Sequence, residues 1–124
     1  MKVQESAENY LETILLLEKQ CDGVHAIDVV SKLGYSKPSV SIAMKRLREN
    51  GYITIDELQH ITLTAKGREI AERMYDRHSL LQALLVRLGV DAEVAAQDAC
   101  RIEHVISEET FSCLRRHAET YGAK

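Results

Sequence analysis

The chain has 124 residues, of which 45% are hydrophobic, and its formal net charge is −3. This length suits one compact domain, or a small head and a small helical half that share a core. The apolar run at residues 14–17 is followed at once by Glu18 and Lys19, so we expect no membrane-spanning segment. The N-terminus is polar and acidic where a signal peptide would need an apolar stretch, which indicates a cytoplasmic protein.

The basic and acidic residues are unevenly distributed. No acidic residue occurs at positions 32–48, a segment that carries Lys32, Lys37, Lys45, Arg46 and Arg48. Acidic residues concentrate elsewhere, for example at positions 5, 8 and 12. This asymmetry is typical of a basic DNA-facing surface beside an acidic, cation-binding one.

The three cysteines, Cys21, Cys100 and Cys113, form no C-x-x-C pair and no paired disulfide framework. In a reducing compartment we expect them to be free thiols.

The first half of the chain predicts three helices. Ser6 is a candidate cap for a first helix at about 7–20, whose apolar residues have helical spacing. A short second helix ends at Gly34. Ser36 caps the third, which has Pro38 in its first turn, where a missing N–H costs little, and which stops at Gly51.

The second half predicts a hairpin and then three more helices. The β-branched runs at 52–55 and 61–63 flank a polar turn. Thr64 caps a long helix at about 65–88, with an apolar stripe that extends to Leu88, and Gly89 breaks it. Asp91 caps a helix to about 105, and Ser107 caps the last, to about 120.

This element order predicts a mainly α fold with a small β-hairpin, of the winged helix-turn-helix kind. The third helix of such a fold enters the major groove with its N-terminal residues against base edges, and the hairpin lies along neighbouring phosphates. The candidate DNA-binding residues are therefore Ser36, Lys37, Pro38, Ser39, Ser41, Lys45 and Arg46. An ordinary three-helix pack with a solvated basic face, or a protein-binding winged helix, would show the same order of elements.

Candidate metal ligands occur in two segments and at one isolated histidine. Cys100, Glu103 and His104 are spaced i, i+3 and i+4, so on a helix they share one face and could form half of a transition-metal site. Asn9 and Glu12 also share a helix face, and His78 lies beside an apolar stripe. Single residues of these kinds are more often structural: a histidine in this setting is commonly a hydrogen-bonded core residue, and a helical glutamate is commonly solvated.

Six segments, in order over residues 6–116, resemble the diphtheria-toxin-repressor superfamily, which includes iron-dependent repressors and manganese transport regulators. They are ENYLETI, YSKPSVSIAMKRL, LTAKG, RHSLL, LGVD and DACRIEHVIS. The resemblance implies a homodimer that binds a palindromic operator in double-stranded DNA when loaded with metal, and represses metal-homeostasis genes. It implies a DNA-binding head at 1–72 and a helical metal-binding and dimerisation domain at 73–124, with no small-molecule substrate. Longer members also carry an SH3-like domain, for which this chain ends too early.

Carried over position by position, the resemblance assigns the metal ligands to Asn9, Glu12, His78, Cys100, Glu103 and His104. Cys100 matches the iron branch, since the manganese branch has glutamate there, whereas Glu12 matches the manganese branch. Asn9 departs from both branches, which use methionine or a carboxylate. Because a thiolate is softer than a carboxylate, we expect Fe(II) as the effector, with Mn(II) second.

Three further positions depart from the iron branch. The glutamate and histidine of its ancillary metal site fall here on Gln82 and Ala96, so we do not expect that site in its usual form. In the third helix, Ile42 stands where iron-branch members can have a polar base-reading residue. The operator sequence is therefore not transferable.

Two other functions compete with this interpretation. One is a winged-helix regulator or interaction module whose metal site is degenerate, which the departures at Asn9, Gln82 and Ala96 would suit. A remote one is a zinc hydrolase in which a Cys/Glu/His cluster activates water. The sequence contains no H-E-x-x-H, P-loop, G-x-S-x-G or Rossmann fingerprint, and we therefore expect no enzyme.

Overall fold

A computed structural model of the chain describes residues 2–121, with side chains from residue 6 onward. It forms two compact units, the first ending at Glu72 and the second beginning at Arg73. In chain order the elements are α1 (Lys2–Glu18), α2 (Ala26–Leu33), α3 (Lys37–Glu49), β1 (Ile53–Ile55), β2 (Ile61–Leu63), α4 (Ala65–Arg87), α5 (Ala92–Ile102) and α6 (Glu108–Tyr121). The mainly helical fold with one hairpin confirms the predicted class. Within residues 2–121, no helix combines the length and the apolar character needed to cross a membrane.

Most predicted helix ends coincide with observed caps. Gly34 adopts a left-handed conformation (φ 74°) and its N–H donates to the carbonyl of Val30, which closes α2. The Ser36 hydroxyl accepts the N–H of Ser39 at 3.2 Å at the start of α3. Equivalent side-chain caps, also as predicted, open α4 (Thr64), α5 (Asp91) and α6 (Ser107).

Two predicted boundaries are wrong. Helix α1 begins at Lys2, so Ser6 lies inside it and is not its cap; residues 2–5 read KVQE, mostly good helix formers that continue the helix. Helix α5 ends at Ile102 and not near 105. The N–H groups of His104 and Val105 donate to carbonyls three residues back, at 3.4 and 3.0 Å, which tightens the chain into a turn.

The core of the first unit is built on α1. Leu11 and Ile14 are completely buried there. The inner face of α3 adds Val40, Met44 and Leu47, as predicted, and the strands add residues such as Ile53, Ile61 and Leu63. Because α3 buries one stripe, its opposite face points to solvent.

The hairpin is short and firmly held. Strand β1 pairs antiparallel with β2, with Ile53 opposite Leu63, and Ile61 also bridges to Val24. At the turn, the Asp56 carboxylate accepts the N–H groups of Leu58 and His60 at 2.9 and 2.8 Å. The bond from the His60 N–H is the main reason why the pKa of Asp56 lies below its ordinary value.

Helix α4 passes very close to the start of the hairpin at Gly67. The carbonyl of Tyr52 accepts the N–H of Thr64, and a Cβ atom on Gly67 would overlap that same carbonyl oxygen. A backbone atom cannot swing aside as a flexible side chain can. Only glycine therefore fits at this point of the helix without a backbone shift.

We expect Gly67→Ala to lower the free energy of unfolding of the chain by roughly 2 kcal/mol, because the overlap outweighs the better helix propensity of alanine. Gly34→Ala is a suitable control: its Cβ would meet open space, and only its positive φ makes it costly, by about 1 kcal/mol. Urea denaturation of both variants measures the difference. If Gly67→Ala were as stable as the wild type, the close approach would not exist in solution.

The second unit packs α4, α5 and α6 through alanines and a few larger apolar residues. Buried here are Met74, Leu81, Ala95, Ala99, Phe111 and Ala118. The predicted apolar stripe of α4 does not extend to Leu88, which is 81% exposed because α4 ends at Arg87 and the chain turns at Gly89.

Candidate metal centre and nucleic-acid interface

The outer face of α3 carries all the predicted DNA-binding residues. Ser36, at its cap, and Lys37, Pro38, Ser39, Ser41, Lys45 and Arg46 are all exposed. Ser36 also has a structural role, since its hydroxyl bonds to that of Ser39 at 2.9 Å as well as capping the helix. Ile42 stands among these polar residues, and 56% of it is exposed. The face therefore offers hydroxyls, cations and one aliphatic side chain.

A groove of about 200 Å³ separates α3 from the hairpin. Its lining comes from Ala26, Ser41, Met44, Lys45, Arg48, Ile55, Gln59 and Ile61. Lys45 and Arg48 give it a positive rim. The sequence analysis did not single out Gln59 as part of this surface. Its backbone is left-handed (φ 66°), a conformation that nothing in the local sequence signals.

The tip of the hairpin has the opposite character. Asp56 and Glu57 are exposed there, and Leu58 is 70% exposed. Carboxylates disfavour close approach to phosphates. Cationic contacts with a DNA backbone would therefore come from α3 and the groove more than from the tip of the hairpin.

Four of the six predicted metal ligands lie in the second unit, and the structure brings them together. His78 is on α4 and Cys100 is on α5, while Glu103 and His104 lie in the turn at the end of α5. The ligand atoms of Cys100, Glu103 and His104 all lie within 4.8 Å of one another. The i, i+3, i+4 pattern thus converges even though the helix ends at Ile102.

Glu103 is the centre of this cluster. It is completely buried, and its carboxylate lies between two imidazoles: Oε1 is 3.0 Å from His78 Nδ1, and Oε2 is 3.3 Å from His104 Nε2. A buried carboxylate is costly unless positive charge or hydrogen bonds compensate it. The arrangement can meet that requirement through the two neighbouring imidazoles or through a bound cation. One thiol, one carboxylate and two imidazoles make a donor set suited to first-row transition metals.

The other two predicted ligands belong to the first unit, on α1. Glu12 is only 6% exposed, so it is not the solvated surface glutamate that its sequence context also allowed. The Asn9 amide nitrogen lies 3.5 Å from the Tyr35 hydroxyl, and the Tyr35 ring packs edge-on against Tyr10. Asn9 therefore has a local structural contact within the first unit.

Comparison with known proteins identifies the family. The DNA-binding part of the chain matches the model of the iron dependent repressor N-terminal DNA binding domain over residues 2–61. Residues 64–121 match the model of the iron dependent repressor metal binding and dimerisation domain. The chain belongs to the iron-dependent repressor family. This confirms the predicted resemblance and places the chain among metal-dependent transcriptional regulators, which are not an enzyme family.

Individual members of the iron-dependent repressor family are similar over most of this chain. The transcriptional regulator MntR of Escherichia coli is 34% identical over 121 residues, which cover 98% of this chain and 78% of MntR. The iron-dependent repressor IdeR of Mycobacterium bovis is 34% identical over 106 residues, covering 85% of this chain and 46% of IdeR.

A solved structure of a manganese-dependent transcriptional repressor in complex with manganese superposes with a TM-score of 0.82. It is 28% identical, and the match covers 95% of this chain and 53% of that one. The chain thus spans about half the length of IdeR and of this solved structure. Its relatives include both manganese and iron regulators.

Proposed function

We propose that the chain is a repressor that binds a palindromic operator as a homodimer when Fe(II) or Mn(II) is bound, and so controls genes of metal homeostasis in the cytoplasm. The single observation that supports this most is the buried Glu103 carboxylate, set between two imidazoles and beside the thiol of Cys100. Membership of a family with both DNA-binding and metal-binding domains gives the cluster its functional context.

The proposed ligands in the second unit are His78, Cys100, Glu103 and His104. Their donor atoms fit a divalent transition metal, because ligands about 2.0–2.3 Å from one ion lie a few ångströms apart and those of the triplet already lie within 4.8 Å. A bound ion would place positive charge beside the buried Glu103 carboxylate, which is one way to offset the cost of its burial. The sequence resemblance adds Glu12 and Asn9 as ligands from α1.

The thiol decides our choice between iron and manganese. Sulfur ligands favour softer and later metals, whereas carboxylates suit Mn(II). With Cys100 in the cluster we propose Fe(II) as the effector and Mn(II) as the second choice. The relatives do not decide the matter, since they include regulators of both kinds.

Metal and operator binding are coupled in this proposal. A bound cation offsets the mutual repulsion of its negatively charged ligands and orders the DNA-binding head, which reduces the entropy cost of binding DNA. Couplings of this kind amount to about 1–3 kcal/mol, or roughly 5–150-fold in operator affinity.

The homodimer is supported by apolar side chains that the second unit leaves exposed: Val86, Leu88, Val94, Val105 and Tyr121. Large exposed apolar residues are typical of surfaces that another chain covers. A two-fold dimer presents two copies of α3, and such an arrangement reads a palindrome.

Selection of binding sites from a random DNA library tests the proposed function. Purified protein is used anaerobically with Fe(II) or Mn(II), and in parallel with excess chelator. We expect palindromic sites to be enriched only with metal. Equal enrichment with and without metal would instead support a winged-helix regulator with a degenerate metal site.

The role of α3 is tested by the salt dependence of binding to a selected operator. Lys45→Gln removes an exposed cation from α3 beside the groove, so we expect the slope of log affinity against log salt to fall by about 1. Arg101→Gln, which removes an exposed cation from α5 in the other unit, is the charge-matched control and should leave the slope unchanged. Equal slopes for Lys45→Gln and wild type would exclude a phosphate contact at this residue.

A further inference from the structure

The second unit contains a buried arginine directly beside a proposed metal ligand. Arg77 precedes His78 on α4 and is only 7% exposed. Its Nη1 donates to the carbonyl of Glu103 at 3.0 Å and to that of Ile106 at 3.2 Å, and its Nη2 donates to Oε1 of Glu108 at 2.8 Å. One guanidinium thus holds both ends of the turn that joins α5 to α6.

The Glu103 carbonyl lies where the backbone needs a donor. The last carbonyls of a helix have no N–H partner within the helix, and burial makes an unsatisfied carbonyl costly. Glu103 is the residue just beyond α5. Arg77 satisfies its carbonyl, and so fixes the backbone from which the Glu103 carboxylate and the adjacent His104 imidazole project.

The charge of Arg77 is also compensated. Glu108 forms an ion pair with it, and the guanidinium lies 5.2 Å from the centre of the Phe111 ring. A cation near a metal centre normally weakens metal binding by repulsion. With Glu108 as its partner, Arg77 can order the turn while the electrostatic cost to a bound cation is reduced.

We propose that Arg77 is a positioning residue for the metal centre, acting through the backbone of Glu103. It is not itself a ligand, because a guanidinium stays protonated and offers no lone pair. The inference rests on the proposed function, since it assumes that Cys100, Glu103 and His104 bind a divalent metal. Residues that orient metal ligands in this way typically contribute about 10–100-fold to metal affinity.

No other side chain reproduces the hydrogen-bonding geometry of the Arg77 guanidinium. Lysine carries the same charge but a single nitrogen, which cannot hold two backbone carbonyls and a carboxylate in the planar geometry of a guanidinium. Cys100 lies within α5, before this turn. Loss of Arg77 therefore disturbs Glu103 and His104 more than it disturbs Cys100.

The test uses Co(II) as the metal probe, with the full chain under anaerobic conditions. Arg77→Gln is expected to weaken Co(II) binding by about 10–100-fold in competition with a chelator, and Arg77→Lys to recover part of this loss. In the Arg77→Gln spectrum, the thiolate-to-cobalt charge-transfer band from Cys100 remains, while the ligand-field bands shift because the carboxylate and imidazole have moved. A purely structural role would lower only the thermal stability of the metal-free protein.

Arg115→Gln is the matched control. Arg115 lies over the same Phe111 ring, at 5.0 Å, but its hydrogen bond goes to Asp76 on α4. We expect this variant to lose stability while its cobalt affinity and spectrum stay as in the wild type. If Arg115→Gln weakened cobalt binding as much as Arg77→Gln, or if neither variant changed it, the positioning role would be refuted.

A second variant keeps the proposal testable if Arg77→Gln does not fold. Glu108 has a side chain that is 73% exposed, so Glu108→Gln removes the charge partner of Arg77 with little effect on the core. A smaller loss of cobalt affinity in the same direction is expected, and unchanged affinity contradicts the proposal. Failure of the wild type to bind Co(II) at all would refute the proposed metal centre, which is a separate outcome.

Discussion

His104→Ala is expected to abolish the gain in operator affinity that metal gives the wild-type protein. The wild type should bind its operator about 5–150-fold more tightly with Fe(II) or Mn(II) than in excess chelator. His104 contributes an imidazole 3.3 Å from the Glu103 carboxylate, inside the cluster that we propose holds the metal. Without it, the variant should bind DNA equally weakly under both conditions. Fluorescence anisotropy with a labelled operator measures all four affinities.

His117→Ala provides the matched control for this experiment. His117 is an exposed histidine on α6 whose ring packs at 4.5 Å against Tyr121, so its removal takes away an imidazole from the same unit without touching the cluster. Its metal response should equal that of the wild type. If wild type and His104→Ala bound the operator equally well in excess chelator and with metal, the proposed switch would be wrong.

Cys100→Glu is expected to shift metal preference from Fe(II) toward Mn(II). The ratio of the two affinities should change by on the order of tenfold, a typical effect on metal affinity of a substitution at a metal site. The exchange replaces a soft thiolate with a hard carboxylate in the triplet whose ligand atoms lie within 4.8 Å of one another. Anaerobic competition of each metal against a fluorescent chelator gives the two affinities for wild type and variant.

Cys113→Glu controls for the added negative charge. Cys113 is exposed on α6, where its sulfur accepts a hydrogen bond from Arg116 at 3.2 Å. This variant should keep the wild-type ratio of affinities. An unchanged ratio in Cys100→Glu as well would remove Cys100 from the set of ligands.

Local signals made the DNA-binding unit predictable. The Ser36 cap and the Gly34 terminus are properties of a few neighbouring residues, and both occur as predicted. The spacing of Val40, Met44 and Leu47 fixed which side of α3 is buried, and hence which side faces solvent. The candidate DNA-binding residues followed from that face together with the winged helix-turn-helix order of elements.

The candidate metal cluster was predictable only in part. The spacing of Cys100, Glu103 and His104 placed three donors together within five residues. That His78, 25 residues earlier, meets the Glu103 carboxylate depends on how α4 packs in the second unit. Periodicity contains no information about such a contact. It made His78 a candidate through its place beside the apolar stripe, and the family resemblance added it to the set of ligands.

Other features left no signal in the sequence. The hydrogen bond from Arg77 to the Glu103 carbonyl joins residues 26 positions apart. Its acceptor is a backbone oxygen, which any amino acid at position 103 would supply. The close approach of Gly67 to the Tyr52 carbonyl is likewise a backbone contact. The early start of α1 escaped prediction because Ser6 is a good cap residue, whereas a serine inside a helix costs only a little stability and leaves no comparable signal.

Anomalous diffraction from crystals grown anaerobically with Fe(II) or Mn(II) tests the proposed metal centre most directly. We expect an anomalous peak at bonding distance from the Cys100 sulfur, the Glu103 carboxylate and the His104 imidazole. Crystals from metal-containing solution in which these three side chains point away from one another, with no peak among them, would contradict it.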